Sequence, residues 1–342
     1  MRKTVTINTV AKVAGVAKST VSKCLSGNQE IPAATARKII KIAQKLNYRP
    51  SVLAQGLAGK RTKTIGIIAP LLDDEYCVEI INAQINFLQK HGFSCVLVVT
   101  NYIHKIEHSC IDQILDKGVD GILVNYRLNE KKSYRKLEQL NEQNFPIIIF
   151  SDPSPKVSSI DLDFVDAYYT MTKHLMEKGH QKIGYLFGDE EDIWDPRADG
   201  ALKAHQEAGL ELNRSLVVRH EQQRDQKHVL SILKRAIEEL KSTAIVCYCD
   251  DLALNVLGHL HKMGLSVPSD ISLVSVNDVF FAKNALVPLT TFAWPIHEIG
   301  RFTASKLLEK LDNPDLQNFH KVFKGKLIIR ESTGSVTDPQ KK

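Results

Sequence analysis

Hydrogen-bonding side chains follow one another between residues 18 and 23, close to the start of the chain. They are Lys18, Ser19, Thr20, Ser22 and Lys23. A lysine ammonium group can donate to guanine O6 and N7, a serine hydroxyl can bond a base or a phosphate, and a threonine can offer its methyl group to a base. The run therefore predicts a surface that reads base edges in the major groove of DNA.

Short amphipathic helices are predicted to hold this polar surface. Thr6 is a good N-cap for a first helix, which ends at Gly15. Within residues 18–25 the apolar side chains share the face opposite the polar ones, and Pro32 suits the first turn of a third helix. Two helices joined by a glycine-containing turn form a helix-turn-helix whose second helix fits the major groove. The alternative is the solvated face of a small helical bundle.

The basic residues are concentrated in the same part of the chain. Residues 1–64 contain 13 lysines and arginines against one acid, Glu30, a net charge of +12. The whole chain has 45 basic and 39 acidic residues, so residues 65–342 hold 32 and 38 of them, a net of −6. A compact basic segment predicts binding to DNA phosphates. A solvated basic tail is excluded, because a tail would lack the periodic apolar residues.

The composition restricts the class of protein. Of 342 residues, 43% are hydrophobic and 25% are charged, as in a globular protein of two or three folded units. No apolar stretch reaches eighteen residues, so we expect no membrane segment and a cytoplasmic location. The cysteines are scattered singly and are expected to be reduced thiols. They are Cys24, Cys77, Cys95, Cys110, Cys247 and Cys249.

Residues for catalysis or metal binding do not form a recognisable set. The motifs G-x-S-x-G and H-E-x-x-H and a strand-associated G-x-G-x-x-G do not occur in the sequence. His104 and His108 are four residues apart with Cys110 nearby, but no fourth ligand accompanies them. We therefore expect a binding protein that needs neither a metal nor a cofactor.

Longer stretches of the chain resemble the LacI/GalR family of bacterial repressors. The resemblance is carried by TINTVAKVAGVAKSTVSKCLSG, by LNYRPSVLAQGLAGKRTKTIGIIAP at 46–70, and by KGHQKIGYLFG, GLSVPSDISLVSVND, PLTTF and IIRESTG. It implies a helix-turn-helix headpiece (1–50), a hinge helix and linker (51–64), a two-lobed core resembling periplasmic binding proteins (65–333) and a tail (334–342). It also implies a homodimer whose affinity for a DNA operator changes when a small effector binds.

The resemblance assigns further DNA contacts to the end of the headpiece and to the hinge. They are Tyr48, Arg49, Ala54 and Leu57, and Thr6 at the start of the first helix is a further predicted DNA contact. Leu57 resembles the leucine that wedges into the minor groove at the operator centre, and its alternative role is packing under the core. Because the implied protein is a homodimer, we expect a pseudo-palindromic operator. Because an inserted leucine must unstack two base pairs, we also expect an easily deformed central step such as CG.

Beyond residue 64, short β-rich runs alternate with helical patterns. Runs at 65–69, 94–99, 119–124, 145–150, 182–187, 244–248 and 271–276 predict parallel strands, and 295–311 predicts a late helix. The repetition predicts two doubly wound α/β lobes with a ligand cleft at the carboxyl ends of the strands. We place lobe 1 at about 65–160 and 293–325, and lobe 2 at about 161–292 and 326–333.

The resemblance and the strand ends together give the candidate effector contacts. They are Asp73, Asp74, Tyr76, Asn125, Ser151, Arg197, Asp250, Asn277 and Trp294. Arg197 matches the family arginine that binds a ligand hydroxyl or carboxylate, with a surface ion pair to Asp195 or Asp199 as the alternative. For Asn125, Asp250 and Asn277 the alternatives are helix capping and turn formation.

Several residues depart from the common pattern of the family. Cys249 replaces an asparagine, Ser151 replaces a strand-end aspartate and Asn277 replaces a frequent acid. A cleft with fewer carboxylates repels a phosphorylated or acidic ligand less. We therefore expect a sugar, a sugar phosphate or a sugar acid as the effector.

The sequence predicts a transcriptional repressor of carbohydrate or sugar-acid utilisation genes, and not an enzyme. Two alternatives stay open. One is a global carbon-catabolite regulator whose core docks a protein corepressor. The other, of a different class, is a sugar-processing enzyme with an accessory basic domain.

Overall fold

A computed structural model describes residues 5–25, 30–48, 61–151, 156–187, 196–212 and 226–336. The first two ranges form three helices, α1 (Ile7–Ala14), α2 (Lys18–Leu25) and α3 (Ala33–Lys45). Their apolar faces share one small core that contains Val10, Val21 and Ile39, each fully buried. The three helices predicted from the apolar spacing are therefore present.

The first lobe is built on a six-stranded sheet with the order β10-β5-β4-β3-β1-β2. All pairs in it are parallel. Its elements are β1 (Thr64–Ala69), α4 (Glu75–Lys90), β2 (Ser94–Val99), α5 (His104–Leu115), β3 (Gly121–Val124), α6 (Lys131–Glu142), β4 (Ile147–Phe150), β5 (Ser158–Leu162), α12 (Ile296–Asp312) and β10 (His320–Phe323).

The second lobe is built on a five-stranded sheet with the order β11-β9-β8-β7-β6, in which only the β11–β9 pair is antiparallel. Its elements are α7 (Phe164–Glu177), β6 (Ile183–Leu186), α8 (Pro196–Glu207), α9 (Gln226–Lys234) with a π-helical end (Arg235–Glu239), β7 (Ala244–Cys247), α10 (Asp250–Lys262), β8 (Ser272–Asn277), α11 (Phe280–Lys283), β9 (Thr290–Ala293) and β11 (Lys326–Ile328).

The strands are the runs of β-branched and aliphatic residues seen in the sequence. Strands β1, β3, β4 and β7 are buried almost throughout, as expected for parallel strands covered by helices on both faces. The boundary between the lobes differs from the predicted one. Strand β5 runs to Leu162, two residues past the predicted end of the first part of lobe 1, because its backbone pairs with both β4 and β10.

Three short crossovers connect the lobes, at residue 163, at 294–295 and at 324–325. The third crossover is tightly packed. A Cβ atom added to Gly325 would lie 2.4 Å from the Phe292 ring and 2.5 Å from the Ala293 carbonyl oxygen. In the first crossover, Asp163 N donates to the Phe323 carbonyl (3.0 Å), so all three crossovers are adjacent.

Helices α4 and α12 cross closely in lobe 1. At the crossing, a Cβ atom added to Gly300 would lie 2.6 Å from Ala83 Cβ and 2.8 Å from the carbonyl oxygen of Ile80. Next to it, the buried Gln84 amide donates to Thr303 Oγ1 (3.1 Å). The absence of a side chain at residue 300 thus allows the two helix backbones to approach each other.

The segment after lobe 2 is attached to the fold beyond its predicted end. Gly334 N donates to Ser272 Oγ (2.9 Å), and Val336 N donates to the Lys178 carbonyl (3.0 Å). The part of the predicted tail that the structure describes, residues 334–336, therefore packs on lobe 2. Over the described ranges, no helix is both long enough and apolar enough to cross a membrane.

Replacing Gly300 with alanine should destabilise the core. The added methyl group overlaps helix backbone, so we expect the free energy of unfolding to fall by about 1–3 kcal/mol, measured by urea denaturation. Gly258, in α10, is the matched control because nothing lies within 4 Å of its Cβ position. Gly258→Ala should raise stability by roughly 0.5–1 kcal/mol. Equal effects of the two substitutions would contradict the close crossing.

Candidate functional site

The predicted base-reading face lies on the exposed side of α2. Lys18, Ser19 and Lys23 are exposed, Thr20 and Ser22 are half-buried, and the opposite face enters the headpiece core. Lys23 Nζ lies 3.1 Å from a carboxylate oxygen of Glu30, in an exposed pair. Such a pair contributes little to stability, so Lys23 can exchange it for an acceptor on DNA.

Turn and cap residues fix the entry into α2. Thr6 caps α1, with its hydroxyl accepting from Thr9 N, and Gly15 ends α1 in the left-handed conformation at φ 67°. Both were predicted from the sequence. Tyr48 packs against the headpiece core, and burial raises the pKa of its phenol. The predicted contacts Arg49, Ala54 and Leu57 lie outside the described residues.

The candidate effector residues lie at the carboxyl ends of strands, as predicted. Asp73, Asp74 and Tyr76 follow β1, Asn125 follows β3, Ser151 follows β4, Asp250 follows β7, Asn277 ends β8 and Trp294 follows β9. The parallel sheets bring these ends together at the crossovers between the lobes. Arg197 lies in the first turn of α8.

Tyr76 lies where the two lobes meet. Its ring packs against the hydrophobic cores of both lobes. Burial, together with the neighbouring Cys77 and the carboxylates of Asp74 and Asp161, raises the pKa of the Tyr76 phenol well above its ordinary value. Asp74 caps α4 by accepting from Cys77 N (3.0 Å), and Asp73 is exposed. Tyr76 is thus a neutral hydroxyl beside two acids.

A cluster of aromatic rings holds Arg197. The guanidinium carbon of Arg197 lies 4.8 Å from the centre of the Phe164 ring. Phe164 in turn contacts Trp294 edge-on at 5.5 Å, and Trp294 contacts Phe292 at 5.0 Å. The indole Nε1 of Trp294 is buried without a hydrogen-bond partner among the described residues. The Trp294 ring lies at 79° to Phe164 and at 65° to Phe292, so the rings meet edge-on and the Arg197 guanidinium covers the face of Phe164.

Asn125 and Asp250 are occupied by contacts inside the protein. Both amide atoms of Asn125 bond the Gln84 amide at 2.8 Å. One carboxylate oxygen of Asp250 accepts from Ser275 and Thr291, and the other accepts from Val279 N. Burial raises the pKa of Asp250 to about 6. These bonds fix both side chains to neighbouring elements of the fold, and their contact with an effector stays a prediction.

The end of β8 has an unusual backbone. Asn277 and Asp278 have positive φ angles of 116° and 60°, a conformation that asparagine and aspartate adopt more readily than most residues. The Asp278 carboxylate lies 2.5 Å from an Arg330 nitrogen, and Asp278 N donates to Thr291 Oγ1. This turn therefore ties β8 to β9 and to the segment after β11.

Two residues near the cleft were missed by sequence reasoning. Asp161 lies in β5, accepts a hydrogen bond from Ser151 Oγ (3.4 Å), and has its pKa raised by burial. It supplies a carboxylate beside the serine that replaces the usual strand-end aspartate. Phe164 is the ring over which the Arg197 guanidinium lies. The sequence feature that could have indicated them is the short run 158–162, which contains Asp161 and is followed at once by the helix start at Phe164.

The two histidines considered for a metal, His104 and His108, each lie next to a carboxylate on their own helix. His104 Nδ1 lies 3.3 Å from Glu107 Oε1, and the buried Glu107 carboxylate accepts from the backbone N–H groups of Asn129 and Glu130. Among the described residues, no group of three His, Cys, Asp or Glu side chains is placed to hold a metal. The cysteines are free thiols.

The segment entering lobe 1 from the headpiece side is fixed at the end of the sheet opposite the cleft. Arg61 bonds the Asp312 carboxylate and the Leu311 carbonyl at the end of α12. Next to it, Thr62 N and Lys63 N donate to the two carboxylate oxygens of Asp120 at 2.9 and 2.7 Å. Helix α12 begins two residues after Trp294 and is 17 residues long, so it spans about 25 Å from the cleft to this attachment.

Comparison with known proteins identifies both parts of the chain. Residues 6–51 match the model for bacterial regulatory proteins of the lacI family, and residues 172–333 match a periplasmic binding protein-like domain. The chain is 30% identical over 340 residues to the transcriptional repressor PurR of Glaesserella parasuis, covering 96% of this chain and 98% of that protein. It is 30% identical to the transcriptional regulator DegA of Bacillus subtilis, over 86% and 88% of the two chains.

A solved structure has the same architecture over nearly the whole length. The lac repressor dimer bound to operator and an anti-inducer superposes with a TM-score of 0.81 and 24% identity, covering 97% of this chain and 100% of that one. The relatives are regulators and not enzymes. The chain therefore belongs to the lacI family of bacterial regulatory proteins, and it is a DNA-binding transcriptional repressor with a two-lobed core.

Proposed function

We propose that the protein acts in the bacterial cytoplasm as a homodimer that binds a pseudo-palindromic operator, and that an effector in the interlobe cleft controls its affinity. The observation that carries this proposal is the combination of an exposed basic face on α2 with a separate two-lobed core of opposite net charge. Two headpieces reach successive major grooves only when the cores pair.

An apolar surface on lobe 2 supports the pairing of two cores. Phe280 and Phe281 in α11 are 56% and 62% exposed, and Leu286 in the loop after α11 is 93% exposed. Large apolar side chains that cluster on a surface mark contact sites with another protein. In this proposal the second copy of the chain covers them.

Lys23 should contribute to sequence preference. Lys23→Ala removes a donor from the base-reading face, so we expect affinity for the selected operator to fall roughly 10-fold while binding to random DNA changes little. In vitro selection from random duplexes gives the operator, and fluorescence anisotropy gives the affinities.

Lys41→Ala is the matched control, because it removes the same charge from an exposed position on α3. It should weaken binding to all sequences slightly and equally. If the two variants behave alike, Lys23 contacts a phosphate and not a base. If selection enriches no two-fold symmetric sequence, the proposed dimeric operator binding is wrong.

For the effector, we propose a small flat ring with hydrogen-bonding groups in its plane. Phe164 and Arg197 offer a stacking surface, Trp294 Nε1 offers a donor and Asp161 offers an acceptor. A purine base has this shape, and similarity to repressors named PurR also favours this class over the predicted carbohydrate. A sugar is the second candidate, because solved regulators of the same fold contain cellobiose or ribose.

Arg197 should be required for effector binding. We expect Arg197→Gln to weaken binding at least 10-fold, because the variant loses the charged fork that lies on Phe164. Calorimetric titration with purine bases, ribose and cellobiose identifies the class and measures the loss. Arg235→Gln, which removes an exposed arginine from lobe 2, should leave affinity unchanged. Equal affinity of wild type and Arg197→Gln for the bound compound would place the effector elsewhere.

The path from cleft to DNA runs through α12 in this proposal. Its first turn adjoins Trp294, and its last residues hold Arg61. A ligand can shift the protein between two states only by its different affinity for them. Movement of the lobe 1 helices on effector binding would therefore reposition the segment that leads to the headpiece.

Arg61→Gln should separate the two binding events. Loss of the bonds to Asp312 and Leu311 leaves the cleft intact, so effector affinity should stay within about 2-fold of wild type. The change in operator affinity caused by saturating effector should shrink several-fold. Arg135→Gln, at an exposed position on α6, is the control and should keep the full response. An undiminished response in Arg61→Gln would remove this attachment from the mechanism.

A further inference from the structure

A polar pocket lies at the end of lobe 1 farthest from the cleft. Its volume is about 260 Å³, and it is bordered by the turn before β4, the last turn of α12 and the loop 314–318. The strands of lobe 1 end at the cleft, so the turn before β4 faces the side on which Arg61 enters the lobe. The pocket is therefore separate from the effector cleft.

A buried cation forms part of the pocket wall. Lys310 is only 7% exposed, and its ammonium donates to the Leu316 carbonyl (3.2 Å) and to Asn318 Oδ1 (3.0 Å). Both acceptors are neutral, and within the described ranges no carboxylate forms an ion pair with it. An ammonium has three donors, and a buried charge is costly without an opposite charge. Burial accordingly lowers the pKa of Lys310.

Some of the amide side chains around the pocket form hydrogen bonds within the protein, and others do not. The amides of Asn141 and Asn318 both donate to the Lys156 carbonyl, at 2.9 and 2.8 Å, and so hold the rim together. Asn144 and Gln317 line the same pocket, and within the described part of the chain their amides make no hydrogen bond. Asn144, Gln317 and the one acid in the lining, Asp315, are all exposed residues. The pocket thus offers one cation and two amide donors to a single small ligand.

We propose that this pocket is a second ligand site that takes a small phosphate-bearing anion. Lysine commonly binds phosphate as a point charge, and amide N–H groups complete the set of donors. The volume exceeds that of inorganic phosphate and suits a small phosphorylated metabolite.

The position of the pocket implies an effect on DNA binding. Lys310 lies one residue before Leu311 and two before Asp312, the residues that hold Arg61. An anion bound to Lys310 changes the charge and the packing at this end of α12. The regulatory part of this inference rests on the proposed function, whereas the binding site itself does not.

The test measures phosphate binding to the full-length protein without DNA. Inorganic phosphate is titrated by calorimetry at constant ionic strength, with chloride as the replaced anion. Wild type should bind in a saturable manner, Lys310→Met should lose that binding, and Asn144→Ala and Gln317→Ala should each weaken it about 3- to 10-fold. Lys306→Met, on the same helix with an exposed ion pair to Glu309, should bind like wild type.

Further variants and conditions keep the result interpretable. Lys310 also closes the loop 314–318, so Lys310→Met could reduce folding. Asn144→Ala leaves those contacts in place and decides the case if that happens. Non-saturable binding by wild type, or equal binding by Asn144→Ala, Gln317→Ala and wild type, would overturn the proposal.

Operator DNA then distinguishes the source of the phosphate. If a free metabolite is the ligand, phosphate and operator bind together. If phosphate competes with operator, and Lys310→Met weakens binding to every DNA sequence, the pocket holds a backbone phosphate of DNA and the metabolite proposal is wrong. Failure of operator binding itself would leave the calorimetric result unaffected, so the two proposals fail separately.

Discussion

The close crossing of α4 and α12 in lobe 1 determines the geometry of both ends of that lobe. The helices approach because Gly300 has no side chain, and the buried amide of Gln84 joins α12 through Thr303 and the end of β3 through Asn125. Since α4 begins beside Tyr76 and α12 begins beside Trp294, the crossing sets the distance between two walls of the cleft. The far end of α12 holds Arg61. A single packing contact therefore lies between the cleft and the attachment of the segment that leads to the headpiece.

Buried polar groups provide the second constraint. Asp250 joins three elements of lobe 2, and Glu107 organises the loop after β3, each through several donors. A buried carboxylate without such donors would be unfavourable by several kcal/mol. These side chains are consequently fixed parts of the scaffold, while Arg197, Tyr76, Asp161 and Trp294 surround the cleft. The distinction separates buried, fully bonded scaffold residues from the side chains that the proposal assigns to the effector.

Much of the fold could be predicted from periodicity, because local patterns decide helices and buried strands. The run Ser94–Val99 is observed as predicted, and the apolar and polar faces of α2 are where their spacing placed them. Strand β5 was missed because Ser158, Ser159 and Asp161 make it too polar to be recognised without its neighbours. Asn125 was assigned to the cleft from its strand-end position. Its partner Gln84 is on a separate helix, a contact that no local pattern reveals.

The order of the elements along the chain has a consequence for synthesis. Lobe 1 receives α12 and β10, and lobe 2 receives β9 and β11, only from residues after 289. While a ribosome is still translating that last part, the lobe 1 sheet lacks its edge strand β10, and the lobe 2 sheet lacks its edge strand β11 and the neighbouring β9. The backbone N–H and C=O groups that would pair with these strands stay unpaired. Neither lobe can complete its folding as an independent unit. The headpiece, whose described core consists of residues between 5 and 48, is by contrast finished early, so nascent chains carry a formed DNA-binding domain before either lobe is complete.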